Sequence, residues 1–176
     1  MKIYFYLTTV LILLCFLIAG CDSEDLPEKG TCKVKVTGYL NKSFDGEAVF
    51  EDIPGLGGRT IFFLELRNVE KPGEKYQVVR FINGSKPGAG RYSLNPDDST
   101  LNKIKVEYSD SEVEGIFKPN NGTLEIKYTN KEILKGWCDF TAETSVTRGG
   151  GVFQKINIRV IGEFYAEGGD VGIILD

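Results

Sequence analysis

The feature that most constrains this chain is a repeated alternation of apolar and polar residues with a period of two. From Thr31 onward, short apolar-alternating runs follow one another, and Gly, Pro, Asn and Asp separate them. A period of two with one polar face is typical of half-buried strands in antiparallel sheets. The clearest runs are Cys32-Val34-Val36, Ile104-Val106-Tyr108, Leu124-Ile126-Tyr128 and Ile156-Ile158-Val160.

This pattern predicts an all-β fold of about ten short strands, with little or no helix after the N-terminal segment. An antiparallel β-sandwich and a meander β-barrel both fit such a chain. The run from Ile61 to Leu66 is apolar on both faces, which predicts a central, fully covered strand. We expect tight hairpins at Asn83-Gly84 and Asn121-Gly122, because Asn-Gly readily adopts positive φ. A last strand is expected at Val171 to Leu175.

Apolar-x-Gly-x-apolar segments occur at Gly38, Gly115, Gly136 and Gly162. The alternation turns each of these glycines towards the core, where a glycine marks a bulge, a bend or a close approach of two backbones. Large aromatic side chains from across the core are expected to fill the gaps.

Two of the four cysteines are expected inside the folded domain. Cys32 and Cys138 both have inward parity, and an even pair of cysteines suits a disulfide wherever a chain folds in an oxidising compartment. We therefore predict a disulfide between them. Two buried free thiols remain the alternative, because a disulfide needs a particular geometry.

The first 20 residues have the pattern of a secretory signal. Lys2 supplies a positive start, Leu7 to Ile18 is almost entirely apolar, and Ala19-Gly20 provides small residues before Cys21. The apolar run is shorter than the roughly 20 residues that a transmembrane helix needs.

The segment Leu17-Ile18-Ala19-Gly20-Cys21 resembles the lipobox of bacterial lipoproteins. The resemblance implies cleavage before Cys21 and lipidation of Cys21, and several acyl chains make such an anchor stable. An ordinary signal peptide and an uncleaved anchor remain the alternatives. The expected organisation is a signal peptide at 1–20, an acidic tether at 21–30 and one all-β domain at 31–176.

The acidic run Asp22-Ser23-Glu24-Asp25 resembles the export signal of surface lipoproteins in the Bacteroidota. This resemblance implies a lipid anchor in the outer membrane, with the domain on the cell-surface face. The periplasmic face remains the alternative. In enterobacterial lipoproteins, an Asp at the position of Asp22 would instead favour retention in the inner membrane. A solvated acidic tether without a sorting role also fits these residues.

The C-terminal half contains four further strand patterns, at Gly90-Arg91-Tyr92, Asn121 to Ile126, Leu134 to Ala142 and Val160 to Ala166. These patterns resemble those of small all-β surface lipoproteins of the Bacteroidota. The resemblance covers about half of the chain on weakly specific patterns. No activity is assigned to that group, so the resemblance implies no catalytic residue.

The amino-acid composition of the chain argues against several classes of function. The chain has 21 Lys and Arg against 25 Asp and Glu, a net charge of −4, which argues against nucleic-acid binding. It contains no His, which excludes Ser-His-Asp and Cys-His catalysis and His-ligated zinc. We expect no enzymatic activity, no cofactor and no metal site.

Three aromatic residues, Trp137, Tyr39 and Tyr165, have outward parity and form the candidate binding face. Exposed aromatic rings on a sheet stack on sugars or pack against a protein, although a loop covering them is the alternative. The leading function is a non-enzymatic binding or accessory module for a glycan, a peptide or an envelope protein.

Two other functions remain open from the sequence. A barrel with an internal cavity would carry a small apolar ligand. The carboxylates of Asp110, Glu112 and Glu114, expected on one outward face, would suit a hydrolase.

Overall fold

The computed structural model describes residues 27–69, 76–99, 103–148 and 151–171. The predicted signal peptide and most of the tether, with Cys21, lie outside these residues, as do 172–176. The described strands are β1 Thr31–Gly38, β2 Lys42–Pro54, β3 Thr60–Val69, β4 Tyr76–Asn83, β5 Gly90–Ser93, β6 Lys105–Asp110, β7 Val113–Thr129, β8 Ile133–Arg148 and β9 Val152–Gly168.

Eight of these strands form a closed antiparallel barrel. Hydrogen bonding follows the order β1-β2-β3-β4-β6-β7-β8-β9, and β9 pairs back onto β1. The short β5 pairs with the second half of β7. It lies along the same edge of β7 as β6, which pairs with the first half. The expected all-β fold is confirmed, and the barrel is the form it takes. No helix in the described ranges is long and apolar enough to cross a membrane.

The barrel has two distinct ends. At the tether end, the backbone N–H of Gly30 donates to the carbonyl of Tyr165, and Gly30 accepts from the N–H of Ala48. At the hairpin end, β8 and β9 join, and the N–H of Tyr39 donates to the carbonyl of Asn157. Asn157 and Tyr165 are eight residues apart on β9, which is about 26 Å measured along the strand.

Large aromatic side chains fill the described interior. Phe81 meets Phe140 edge to face at 6.4 Å, and Tyr108 meets Phe117 at 5.8 Å. A ligand cavity would leave its walls accessible to a water-sized sphere, but six inward aromatic residues are less than 2% exposed. The described interior is therefore packed as a solid core. The six residues are Phe62, Phe81, Tyr108, Phe117, Phe140 and Phe164.

Two of the predicted inward glycines permit this packing. A methyl group on Gly136 would overlap the carbonyl oxygen of Glu125 and would lie 2.9 Å from the ring of Phe164. A methyl group on Gly162 would lie 3.1 Å from Sγ of Cys138. The other two glycines, Gly38 and Gly115, are exposed and have φ of 108° and 103°, so they serve backbone conformation instead.

The two predicted Asn-Gly hairpins are wrong. Asn121-Gly122 lies inside β7, which continues for 17 residues because β8 pairs with it on both sides of this point. The irregularity appears as a register shift between Pro119 and Asn121 instead of a turn. Asn83 ends β4, but the next strand in the chain pairs with β7, so no hairpin forms there either.

The prediction that β3 is covered on both faces is also wrong. Its inward residues are buried, but Ile61 is 37% exposed on the outer face of the barrel. A single-layered barrel has no second sheet to cover that face. Glu65 is the buried exception on the outside, because Arg80 contacts its carboxylate at 2.6 Å and Arg67 at 3.4 Å.

The predicted disulfide does not agree with the structure. Cys32 and Cys138 both face inward, as expected, but both are free thiols. They belong to β1 and β8, and β9 lies between these strands. Two strand spacings amount to about 10 Å, whereas bridged cysteines have Cα atoms less than about 7 Å apart.

Both thiols should be unreactive in the native protein. Burial raises the pKa of the Cys32 thiol to about 12, and burial also raises the pKa of Cys138 above its ordinary value. At neutral pH an alkylating reagent should therefore label neither cysteine until urea unfolds the chain. Peptide mapping follows each cysteine separately, and recovery of a cross-linked Cys32–Cys138 peptide would contradict the structure.

Gly136→Ala should destabilise the barrel, because the added methyl group overlaps backbone of β7. We expect a loss of about 3 kcal/mol in the free energy of unfolding, as for other overpacked cores. Gly84→Ala is the matched control, since a methyl group there meets nothing within 4 Å. Urea titration measures both variants, and equal effects of the two changes would contradict the close approach at Gly136.

Candidate functional site

The outer face of β7, β8 and β9 carries a cluster of aromatic and aliphatic side chains, here called the outer patch. It consists of Tyr128, Trp137, Ile161 and Tyr165. Tyr128 is 48% exposed and Ile161 38%, whereas Trp137 and Tyr165 are half-buried. The alternation of β8 and β9 turns Trp137, Ile161 and Tyr165 outward while their neighbours fill the core.

Strand register brings Trp137 and Tyr165 together. Trp137 lies opposite Glu163 on β9, and Lys135 lies opposite Tyr165. Trp137 and Tyr165 are therefore diagonal neighbours, a relation in which large side chains reach each other over about 7 to 8 Å. On its other side, Trp137 lies opposite Glu125 of β7.

Tyr39 does not belong to this patch. It is 48% exposed, but it lies at the hairpin end, about 26 Å along β9 from the level of Tyr165. The predicted binding face of Trp137, Tyr39 and Tyr165 is thus only partly assembled by the fold.

Sequence reasoning missed Tyr128 as a member of the patch. The alternation of Leu124 and Ile126 assigns Tyr128 to the core, but the register of β7 against β8 shifts between Ile126 and Tyr128. This irregularity turns the ring outward. A bulge of this kind leaves no local mark in the chain, so only the pairing with β8 shows it.

Lys135 covers part of the aromatic surface. Its Nζ lies 3.7 Å from the centre of the Tyr165 ring, within the range of a cation–π contact. One face of that ring is therefore occupied by a cation of the same chain. The patch consequently offers Tyr128 more openly than Tyr165.

Two ion pairs lie beside the patch. Arg91 donates to Glu125 at 2.6 Å, and Arg159 donates to both oxygens of Asp139 at 2.9 and 2.7 Å. The hydrogen bonds from Arg159 hold the pKa of Asp139 below its ordinary value. These exposed pairs contribute little to stability, and they place charged side chains directly beside Trp137 and Ile161.

A second cluster joins carboxylates at the hairpin end. Nζ of Lys42 lies 3.1 Å from both oxygens of Asp110 and 2.8 Å from Glu112. The hydroxyl of Tyr108 donates to Asp110 at 2.9 Å, and the N–H of Glu112 donates at 2.8 Å. Burial opposes the charge of Lys42, but the two carboxylates raise its pKa.

The expected outward position of Asp110 is wrong. Asp110 continues the alternation of Val106 and Tyr108 along β6, so its side chain points inward and is fully buried. Four hydrogen bonds satisfy its two oxygens, so the cluster is explained by structure alone. Among the described residues, no three Cys, Asp or Glu side chains converge as they would around a metal ion.

The comparisons with known proteins found no counterpart. No protein-family model, no curated protein sequence and no solved structure matches this chain.

Proposed function

We propose that this chain is a lipid-anchored protein of the outer membrane whose barrel is a non-enzymatic binding module for a partner protein. The outer patch is the observation that carries the proposal. The lipobox that ends at Cys21 and the acidic residues after it support display on the cell-surface face. The periplasmic face is the alternative location.

The composition of the patch favours a protein as the partner. Protein interfaces place Trp and Tyr at an apolar centre and surround it with a polar rim. Here the patch supplies Trp137 and Tyr128, and ion pairs on β7, β8 and β9 lie beside them. A sugar stacks on open ring faces, and one face of Tyr165 is already covered by Lys135, which leaves a sugar only Tyr128 and Trp137. A glycan or a free peptide is thus the less favoured partner.

The position of the anchor is compatible with this role. The tether of residues 21–30 reaches at most about 35 Å when fully extended. It enters the barrel at Gly30, beside Tyr165. A lipidated Cys21 would hold the tether end towards the membrane and leave the side of the barrel, with the outer patch, open to a neighbouring protein.

The other two functions have less support. A carrier needs internal volume, and the aromatic residues of the described interior occupy it. A hydrolase needs two free carboxylates, but Asp110 is buried and bound by Lys42 and Tyr108. Glu112 is also paired with Lys42, which leaves Glu114 alone of the three candidates.

Removal of the lipidated residue tests the anchor. Cys21→Ala should shift the protein from the membrane fraction to the soluble fraction or the medium, because no acyl chain remains to hold it. Cys15→Ala is the matched control, since Cys15 lies within the predicted signal peptide, and it should stay with the membrane. Membrane retention of the Cys21 variant after a carbonate wash would contradict the lipoprotein proposal.

A photo-crosslinking residue at Ile161 tests the outer patch in native cells. It should give an adduct with one defined protein, while the same residue at Ser43, exposed on β2, should not. Trp137→Ala should remove the adduct, because loss of a central anchor commonly costs about 2 kcal/mol or more of binding.

Three results would count against a protein partner. These are equal adducts from positions 161 and 43, an adduct that survives Trp137→Ala, and binding to a glycan array that Trp137→Ala abolishes. The last result would favour the glycan alternative. Since Trp137 is only half-buried, its removal should cost less stability than the roughly 3 to 5 kcal/mol of a core aromatic, which a thermal melt measures.

A further inference from the structure

The hairpin end exposes more apolar surface than the rest of the described barrel. Five of the eight exposed large hydrophobic side chains lie there, and Phe153 is 76% exposed. Exposed apolar surface concentrated in one place is typical of an interaction site. The five residues are Tyr39, Tyr76, Ile116, Val152 and Phe153.

The β8–β9 hairpin extends beyond its neighbours at this end. β9 pairs with β1 only from Ile158 onward, and β8 pairs with β7 only up to Glu143. The two strands nevertheless remain paired with each other as far as Arg148 and Val152. Residues 144–148 and 152–156 therefore each have one edge without a strand partner among the described residues.

The ladder shows which backbone groups point to the free edge of β8. The carbonyl of Asn157 accepts from Tyr39, so the backbone of Asn157 points away from β8. Its partner across the ladder is Glu143, whose backbone must then point away from β9. By alternation, the N–H and C=O groups of Ser145 and Thr147 point the same way.

A groove of about 460 Å³ runs beside this free edge. Ser145, Val146 and Thr147 form one wall, and the turn from Glu112 to Gly115 forms the other, with Tyr39 at the mouth of the barrel. Val146 packs against the core and supplies an apolar surface. The volume lies within the range of ordinary ligand sites.

Charge on the second wall is acidic. Glu112 already binds Lys42 at 2.8 Å. The exposed Glu114 has no ion-pair partner among the residues that the structure describes. A partner that enters this groove therefore meets an uncompensated carboxylate on one side and unpaired backbone groups on the other.

We infer that this groove binds an extended segment of a partner protein, which adds as a strand to the edge of Ser145–Thr147 and places a Lys or Arg at Glu114. Strand addition is the binding mode that satisfies a row of backbone donors and acceptors, and side chains at alternate positions then enter the groove. The site is separate from the outer patch and faces away from the tether end.

The full-length protein in detergent can be tested against an array of octapeptides that alternate apolar residues with Lys or with Glu. Lys-containing peptides should bind, and Glu-containing peptides should not. Each bound peptide is then synthesised again in two N-methylated versions, here called phases. One phase carries the N-methyl groups at the odd-numbered residues and the other phase carries them at the even-numbered residues. Because only one edge of an added strand faces Ser145–Thr147, one phase should abolish binding and the other should retain it.

Protein variants test the same edge. Thr147→Pro removes an N–H that points away from β9, so the β8–β9 ladder should persist while peptide binding falls by about tenfold or more. Thr147→Ala keeps that N–H and should bind normally. Glu114→Gln should weaken Lys peptides several-fold and leave the melting temperature unchanged.

Four outcomes would overturn the proposal. These are an array on which no peptide binds, equal binding by both N-methylated phases, normal binding by Thr147→Pro, and a concentration-dependent dimer that Thr147→Pro dissociates. The last outcome would assign the edge to a second copy of this chain. None of these results depends on Trp137, so a failure here leaves the outer patch unaffected.

Discussion

The pairing of β1 with both β2 and β9 is the constraint on which the rest of the structure depends. Without it, the sheet would be open and would expose the inner face of every strand. Closure buries that face in a single core, which leaves the outer face to solvent and to partners. It also places the start of the domain at one end and the β8–β9 hairpin at the other, so the candidate sites have fixed positions relative to the tether.

The alternation of the sequence predicted well which side chains point inward or outward. It predicted poorly which strand segments pair with each other and in what register. Val34, Val106 and Phe140 are buried because period two is a property of each strand alone. The failures lie where strands meet. A bulge turned Tyr128 outward, and the neighbouring strands carried β7 straight through Asn121-Gly122. These effects depend on pairing between distant segments, which local propensity does not encode.

The same distinction applies to the residues of the predicted binding face. Outward parity correctly marked Trp137 and Tyr165, but only register decides which outward residues are adjacent. Tyr39 shares their parity but lies at the far end of the barrel. Ile161 and Tyr128 belong to the patch because of the register in which β9 and β7 pair with β8. The inward orientation predicted for the two cysteines was also correct. They remain apart because β9 lies between their strands.

The antiparallel contact between β1 and β9 has a mechanical consequence. The chain enters β1 at the tether end, whereas the hairpin lies beyond the opposite end of β9. A pull on the hairpin against a held N-terminus would act along the two strands in opposite directions. Such shear loads the eight residue pairs from Thr31–Tyr165 to Gly38–Ile158 together, instead of unzipping them singly. The seam that closes the barrel is thereby oriented to resist force along the tether.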